Sequence, residues 1–472
     1  HEIANVFGVK GIEFLLECSK TIPLEIFFLA PSCVPATSNE TNYRTLNYKN
    51  LIKLKKYPSI LGLAEVMNYP GILNYEKELL YKTISFKNKI IDGHCPKLSK
   101  ENLNAYICSG IYSDHECTTK EEALEKLSKG MFIMIREGSV TKDLLNLLPI
   151  INDKNKNRIL LCTDDKDPDD IISNGHINHS LSLLVDSGIS LPVAIKLATI
   201  NPAQFFGFKQ KGGIAPGYHA DLVIFQNLKS IKYVIKDGKI IYEDGSLNEK
   251  YFINNINKAK YSSIKNTIHL KNSNDKILII KDIKKRIRAI GLRKDSVITD
   301  EIQIEPTVKD GLIVSDTDKD IIKIAVFERH HNTGNFGLGF ISGLKLKSGA
   351  FASSIAHDSH NIVVVGENDS DMLNALNHIR RIKGGIAISK DNKIIADLPL
   401  PYAGLISNMS VYDLAKRMKE LRTIANEINK IEVDDPFMLV SFMTLSVIPS
   451  LKITDKGLFD VENFRFVSLY VD

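Results

Sequence analysis

Four residues in the first third of the chain have the types needed to hold a cation and move protons. They are Glu65 in GLAEVMNYPG, His94 in IDGHCP, His115 in SGIYSDHE and Asp164 in LLCTDD. A neutral imidazole offers a nitrogen to a divalent metal, and a carboxylate offers oxygen and offsets charge. A carboxylate can also bridge two cations or carry a proton to and from an activated water. A lone His or Asp near a strand end is commonly just a hydrogen-bonded structural residue. Spacing alone therefore leaves open both a metal hydrolase and four structural residues.

The elements that must position these groups are short apolar runs. Ile26–Leu29, Ile60–Ala64, Lys89–Asp92, Phe132–Ile135 and Arg158–Cys162 read as buried strands bounded by Gly, Pro or polar residues. Amphipathic stretches lie between them, such as Lys120–Lys129, whose Thr118-Thr119-Lys120-Glu121 start supplies a cap and early negative charge. This alternation predicts a parallel sheet, either open or closed into a barrel. The polar residues sit at the C-terminal end of each run, the face where (β/α)8 barrels collect their chemistry. Strands ending near residues 30, 65, 93, 113, 135 and 162 number six.

Residues 189–206 read as a helix with a break at Asn201-Pro202, and 211–245 as short strands with Asp237-Gly238 as a hairpin turn. A polar, Asn- and Lys-rich stretch at about 251–275 marks a domain boundary. Beyond it, strands are expected at 277–280, 322–327 and 361–365, with helices near 369–382 and 411–430.

The chain has 472 residues, is 44% hydrophobic and 25% charged, and carries a formal charge of +5. That is a multi-domain globular composition. The thin positive excess is spread along the chain, so nothing supports a nucleic-acid groove. No apolar run reaches the ~18 residues that span a bilayer, which argues against a membrane partner. Six cysteines, none in a CxxC pair, are expected to be reduced thiols in a cytoplasmic enzyme.

Longer phrases carry a resemblance. PSCVPAT (31–37), GLAEVMNYPG, IDGHCP, SDHE, MIREGS (134–139), CTDD and ATINPAQFFG (198–207) are similar to the bacterial-type adenine deaminases of the amidohydrolase superfamily. GGIAPGYHADLVIF (212–225), AHDSHNIVVVG (356–366) and SFMTLSVIPSLKITDKGLFDV (441–461) continue it in order, almost from end to end. The resemblance implies an α/β chain of three parts. These are a (β/α)8 TIM-type barrel over 1–207, N-terminally truncated, a small β-sandwich segment over 208–262, and a C-terminal α/β domain over 263–472.

It further implies hydrolysis of adenine by water to hypoxanthine and ammonia at a two-metal centre of manganese or iron. Residue by residue, Glu65 matches the bridging carboxylate, His94 and His115 the two single histidines, and Asp164 the aspartate that binds metal and handles the proton. Arg136 and Glu137 follow a buried strand and face the same mouth. Arg136 is expected either to orient the purine or to pair with Glu137, and Asp165 to contact a ring nitrogen. His357, Asp358 and His360 of AHDSHN form either a hydrogen-bonded turn or a loop reaching the active-site mouth.

The family's His-x-His pair is absent from the twelve histidines, and the resemblance places it upstream of His1. The expectation is therefore an incomplete metal site with little or no deaminase activity in this polypeptide. Other readings are an amidohydrolase acting on another cyclic base, or a non-catalytic purine- or metal-binding remnant. A homo-oligomer is expected on general grounds.

Overall fold

A computed structural model of the chain describes residues 1–252, 261–271, 277–293, 296–428 and 435–471. The fold is mixed α/β and divides into two compact units. One comprises Glu13–Ser32 and Asn47–Asn257; the other comprises His1–Ile12, Cys33–Leu46 and Lys258–Asp472. Among the described residues no helix is long and apolar enough to cross a membrane, and none of the six cysteines is in a disulfide.

In the first of these units six short strands alternate with helices: β1 Phe28–Ala30, β2 Ile60–Val66, β3 Ile90–Gly93, β4 Ser113–Asp114, β5 Phe132–Arg136 and β6 Ile159–Cys162. β1-β2-β3 and β4-β5-β6 are each joined by parallel ladders. The backbones approach closely where a side chain would not fit. A Cβ on Gly62 would lie 2.0 Å from Ile90 O, and one on Gly93 would lie 2.0 Å from Ser113 O. The helix Lys120–Ser128 starts as its sequence predicts, with Thr119 Oγ1 accepting from Glu122 N–H at 3.4 Å. It buries Ala123 and Leu127 against Ile133, Ile135 and Ile159.

The expected helix over 189–206 is two, Leu191–Ala198 and Ile200–Phe205. The break falls at Thr199 and not at Asn201-Pro202, because Pro202 sits in the first turn of the second helix, where its missing N–H costs nothing. Asn201 Nδ2 donates to Lys156 O and Ile159 O at 2.6 and 2.7 Å, pinning this helix to β6. Beyond it, β7 Leu222–Asn227, β8 Ser230–Lys236, β9 Lys239–Glu243 and β10 Ser246–Leu247 form an antiparallel meander. Its β8–β9 turn is Asp237-Gly238, both residues with positive φ (48° and 74°), as a two-residue hairpin loop demands.

The other unit is built on an eight-stranded mixed sheet. Its strand order is Thr299–Ile304, Ile287–Leu292, Phe336–Ser342, Ile322–Phe327, Ile362–Gly366, Ala350–Ser353, Gly385–Lys390 and Lys393–Pro399. The helix Asp369–Ile382 is capped by Asn368 and lays Met372, Leu376 and Ile379 on one face of the sheet. Helices Val411–Ile428 and Pro436–Ser441 contribute Leu421, Phe437 and Val440 to the core on the other face. The run 277–280 is not a strand. Leu278 and Ile280 are buried, but only isolated bonds such as Ile313 N–H to Ile280 O hold the backbone. Much of the expected boundary at 251–275 lies outside the described residues, as do residues 429–430 of the expected last helix.

Lys452 is fully buried in the strand Leu451–Thr454, where its Nζ donates to Val297 O at 2.8 Å. Burial pulls its pKa down to about 7. Between pH 7 and ~10.4, the ordinary lysine value, the unfolded chain therefore carries a proton here that the folded chain does not. Stability then rises with pH across that window. In denaturant titrations the unfolding free energy should rise by roughly 1 kcal/mol per unit between pH 7 and 9, relative to Lys452→Met. Parallel pH profiles for the two proteins would contradict this.

Candidate active site

The C-terminal ends of β2, β3 and β4 bring three of the sequence-predicted residues together. Glu65 lies within β2, while His94 and His115 immediately follow β3 and β4. Glu65 Oε2 is 2.9 Å from His94 Nδ1 and 3.2 Å from His115 Nε2. The two rings meet edge to face with centroids 5.3 Å apart. One ligand atom from each residue falls within a 4.8 Å cluster. Two imidazoles and a carboxylate converging on one point form a donor set suited to a divalent transition metal.

A residue not foreseen from the sequence completes the group. Glu116 Oε1 is 3.5 Å from His94 Nδ1 and 3.3 Å from His115 Nε2, and it receives a hydrogen bond from Arg136 Nη1. No local signal in SDHE singles it out, because it directly follows a predicted ligand and neighbours along an extended chain ordinarily diverge.

The charges set the protonation pattern. Burial by itself disfavours the ionised Glu65, but His115 and His94 outweigh it and hold the carboxyl well below its ordinary value. Burial likewise opposes charge on His115, yet Glu65, Glu116 and Asp164 raise its pKa well above the usual imidazole range. His94 is also raised, with Glu116 and Glu65 overcoming burial. The rings thus sit in a field of negative charge, the environment a bound cation requires.

Asp164 stands just beyond β6 with φ 56°, a conformation that costs a non-glycine residue about 1–3 kcal/mol. Its Oδ2 is 3.2 Å from Arg136 Nη1. Arg136, at the end of β5, is 4% exposed. Its guanidinium is committed to three carboxylates: Nη1 to Glu116 and Asp164, and Nε and Nη2 to Asp143 Oδ2 at 3.0 and 2.9 Å. Its partners are therefore acids other than Glu137.

Glu137 is itself buried, with N–H donating to Cys162 O at 3.0 Å. Burial raises its carboxyl pKa against the pull of Lys142 and Lys166. Asp165 is exposed, and its carbonyl accepts from Ser139 N–H at 2.9 Å. His357, Asp358 and His360 belong to the other unit, where they gather with Glu2.

A deeper layer braces the ligand-bearing strand ends. Asp114 and Lys126 are both fully buried and lie 2.8 Å apart. Asp114 Oδ1 accepts from Cys95 N–H at 2.8 Å, and Lys126 Nζ donates to Cys95 O at 2.8 Å. The residue beside His94 is thus tied to the residue beside His115.

Residues 1–241 match the amidohydrolase family, and residues 296–465 match the adenine deaminase C-terminal domain. Adenine deaminase 2 of Carboxydothermus hydrogenoformans is 45% identical over 470 residues, covering 99% of this chain and 81% of that protein. The chain belongs to the adenine deaminase family. Adenine deaminase of Thermosipho africanus is 47% identical over 484 residues, covering 100% of this chain and 82% of its own length. That of Clostridium acetobutylicum is 42% identical over 472 residues, covering 99% and 82%. As an amidohydrolase-family chain, it carries the donor set Glu65, His94 and His115 at the ends of parallel strands, consistent with a metal-dependent hydrolase.

Proposed function

We propose that this chain hydrolyses adenine to hypoxanthine and ammonia, with the six parallel strands forming part of a (β/α)8 barrel. The convergence of Glu65, His94 and His115, with Asp164 held by Arg136 beside them, carries the reading. Glu65, His94 and His115 would hold a divalent cation, manganese or iron. When bound, it supplies Lewis-acid chemistry that makes water acidic near neutral pH.

The remaining work belongs to the protein's own groups. Asp164 accepts a proton from the attacking water as the oxygen adds to C6 of the adenine ring. It then returns that proton toward the departing amine, so that ammonia leaves in place of an amide anion. Arg136 Nη1 holds the Asp164 carboxylate in place, and Asp143 fixes Arg136 by binding both Nε and Nη2. The two carboxylates at Arg136 Nη1 share one guanidinium, which limits their mutual repulsion. Glu137 and Asp165 stand at the same strand ends as candidates for contacts to the purine.

The test is direct. The manganese-loaded protein incubated with adenine should release ammonia and hypoxanthine in equal amounts, against the little or no activity expected from the missing His-x-His pair. Guanine or cytosine in place of adenine should give no more than ~1% of that rate, because buried polar contacts reject a mismatched ring strongly. Equal or faster release from another base would reassign the substrate.

A further inference from the structure

The unit that contains the eight-stranded sheet gathers a second set of ligating side chains, around the segment Ala356–Asn361. His357 Nδ1 lies 3.5 Å from Glu2 Oε1 and 3.6 Å from Asp358 Oδ1. One ligand atom each from Glu2, His357 and Asp358 falls within a 4.8 Å cluster. These are ion-pair separations, and the His357 ring is also hydrogen-bonded to the Glu2 carboxyl. The separations match the edge of a tetrahedron around one cation, since two ligands at ~2.1 Å from the same zinc lie about 3.4 Å apart.

The surroundings fix each donor. The His357 ring stacks on Phe442 with centroids 4.6 Å apart and planes 17° from parallel. Its backbone is held at both ends, with N–H donating to Ser441 O at 3.1 Å and the carbonyl accepting from Thr444 Oγ1 at 2.7 Å. His357 and Asp358 are buried, whereas Glu2 is half-exposed, so the set is enclosed on one side and open to a ligand entering past Glu2. His360 supplies the last constraint. Its Nδ1 accepts from Ala356 N–H at 3.1 Å, which places the neutral ring's proton on Nε2. Nε2 then donates to Glu2 Oε2. That leaves Oε1, the oxygen facing His357, as the one turned toward the cluster. An imidazole orienting a ligating carboxylate through its second oxygen is a recurrent support in metal sites.

We propose that Glu2, His357 and Asp358 form a binding site for one divalent transition cation of the zinc or manganese class, with His360 as the positioning residue for Glu2. Three protein ligands, one nitrogen and two oxygens, leave the remaining coordination to water, as in open rather than closed zinc sites. The site is distinct in its residues from Glu65, His94 and His115 and does not depend on the deaminase reading.

The probe is zinc alone. The full chain carrying Glu65→Ala, His94→Ala and His115→Ala, stripped with chelator and reloaded, should retain one equivalent of Zn2+ by elemental analysis. Adding His357→Ala should abolish that equivalent or weaken it at least ~10-fold, and His360→Ala should weaken it ~10–100-fold. A folded triple variant that holds no zinc overturns the site, as does unchanged affinity after His357→Ala.

Glu2→Gln in the otherwise unaltered chain provides a second reading that does not require the triple variant to fold. Glu2 is half-exposed, so the fold tolerates the change. Total zinc should fall by one equivalent and the cobalt-substituted visible spectrum should change in step. Unchanged stoichiometry and spectrum overturn the assignment. Because the readout is bound metal, absence of deaminase activity leaves the result interpretable.

Discussion

Asp164→Asn is expected to lower kcat for adenine by ~10²–10⁴-fold, the range for losing a positioned general acid–base group. The amide keeps the size of the side chain and an oxygen that can still accept from Arg136 Nη1, now 3.2 Å away. It cannot store a proton, so the loss should appear in kcat with KM little changed. Ammonia release followed at saturating adenine would check this. A decrease of less than ~10-fold would remove Asp164 from the proton path.

The second large effect concerns stability. Lys126 and Asp114 form an ion pair with both side chains fully buried, and Lys126 also binds Glu122 and Cys95 O. Lys126→Met would leave Asp114 charged and unpaired in the core, which costs about 3–5 kcal/mol. In denaturant titrations the midpoint should fall accordingly, with the slope unchanged. Adding Asp114→Asn removes the orphaned charge and should restore at least ~1 kcal/mol. A single-variant loss under ~1 kcal/mol would mean that the pair contributes little. Because Asp114 also holds Cys95 N–H, the same substitution should loosen the spacing of His94 and His115.

The contrast between these residues shows what the sequence discloses. Glu65, His94, His115 and Asp164 were legible because each polar residue interrupts or closes an apolar run, and that position fixes its place at a strand end. The five apolar runs fall on β1, β2, β3, β5 and β6, and β4 lies at the strand end expected near residue 113, because short apolar runs bounded by polar residues and Gly or Pro leave few alternatives. Lys126 was not legible. On a helix with early acids and late bases, a lysine reads as solvent-facing, and only the tertiary approach of Asp114 explains its burial. Glu116 was hidden by adjacency, since neighbours along an extended chain ordinarily point to opposite faces.

The run 277–280 misled for the opposite reason. Its side chains are as apolar as a strand's, but its backbone finds partners one at a time. Arg136 was placed correctly at a strand end, yet its three acidic partners come from separate loops that no local pattern connects.

The discontinuous make-up of the unit carrying the eight-stranded sheet has a consequence for biosynthesis. Its segment 1–12 leaves the ribosome well before most of the strands and loops it belongs with, which lie in 258–472. Glu2 and His360 are 358 positions apart. At ~5–20 residues added per second, the early segment waits on the order of tens of seconds for its partners to emerge. During that time Ile3, Ala4, Val6 and Phe7, all buried in the finished protein, have only residues 33–46 of their own unit to pack against, as where Phe7 stacks on Tyr43. A nascent chain stalled before residue 258 would therefore leave these side chains partly uncovered and open to chaperones.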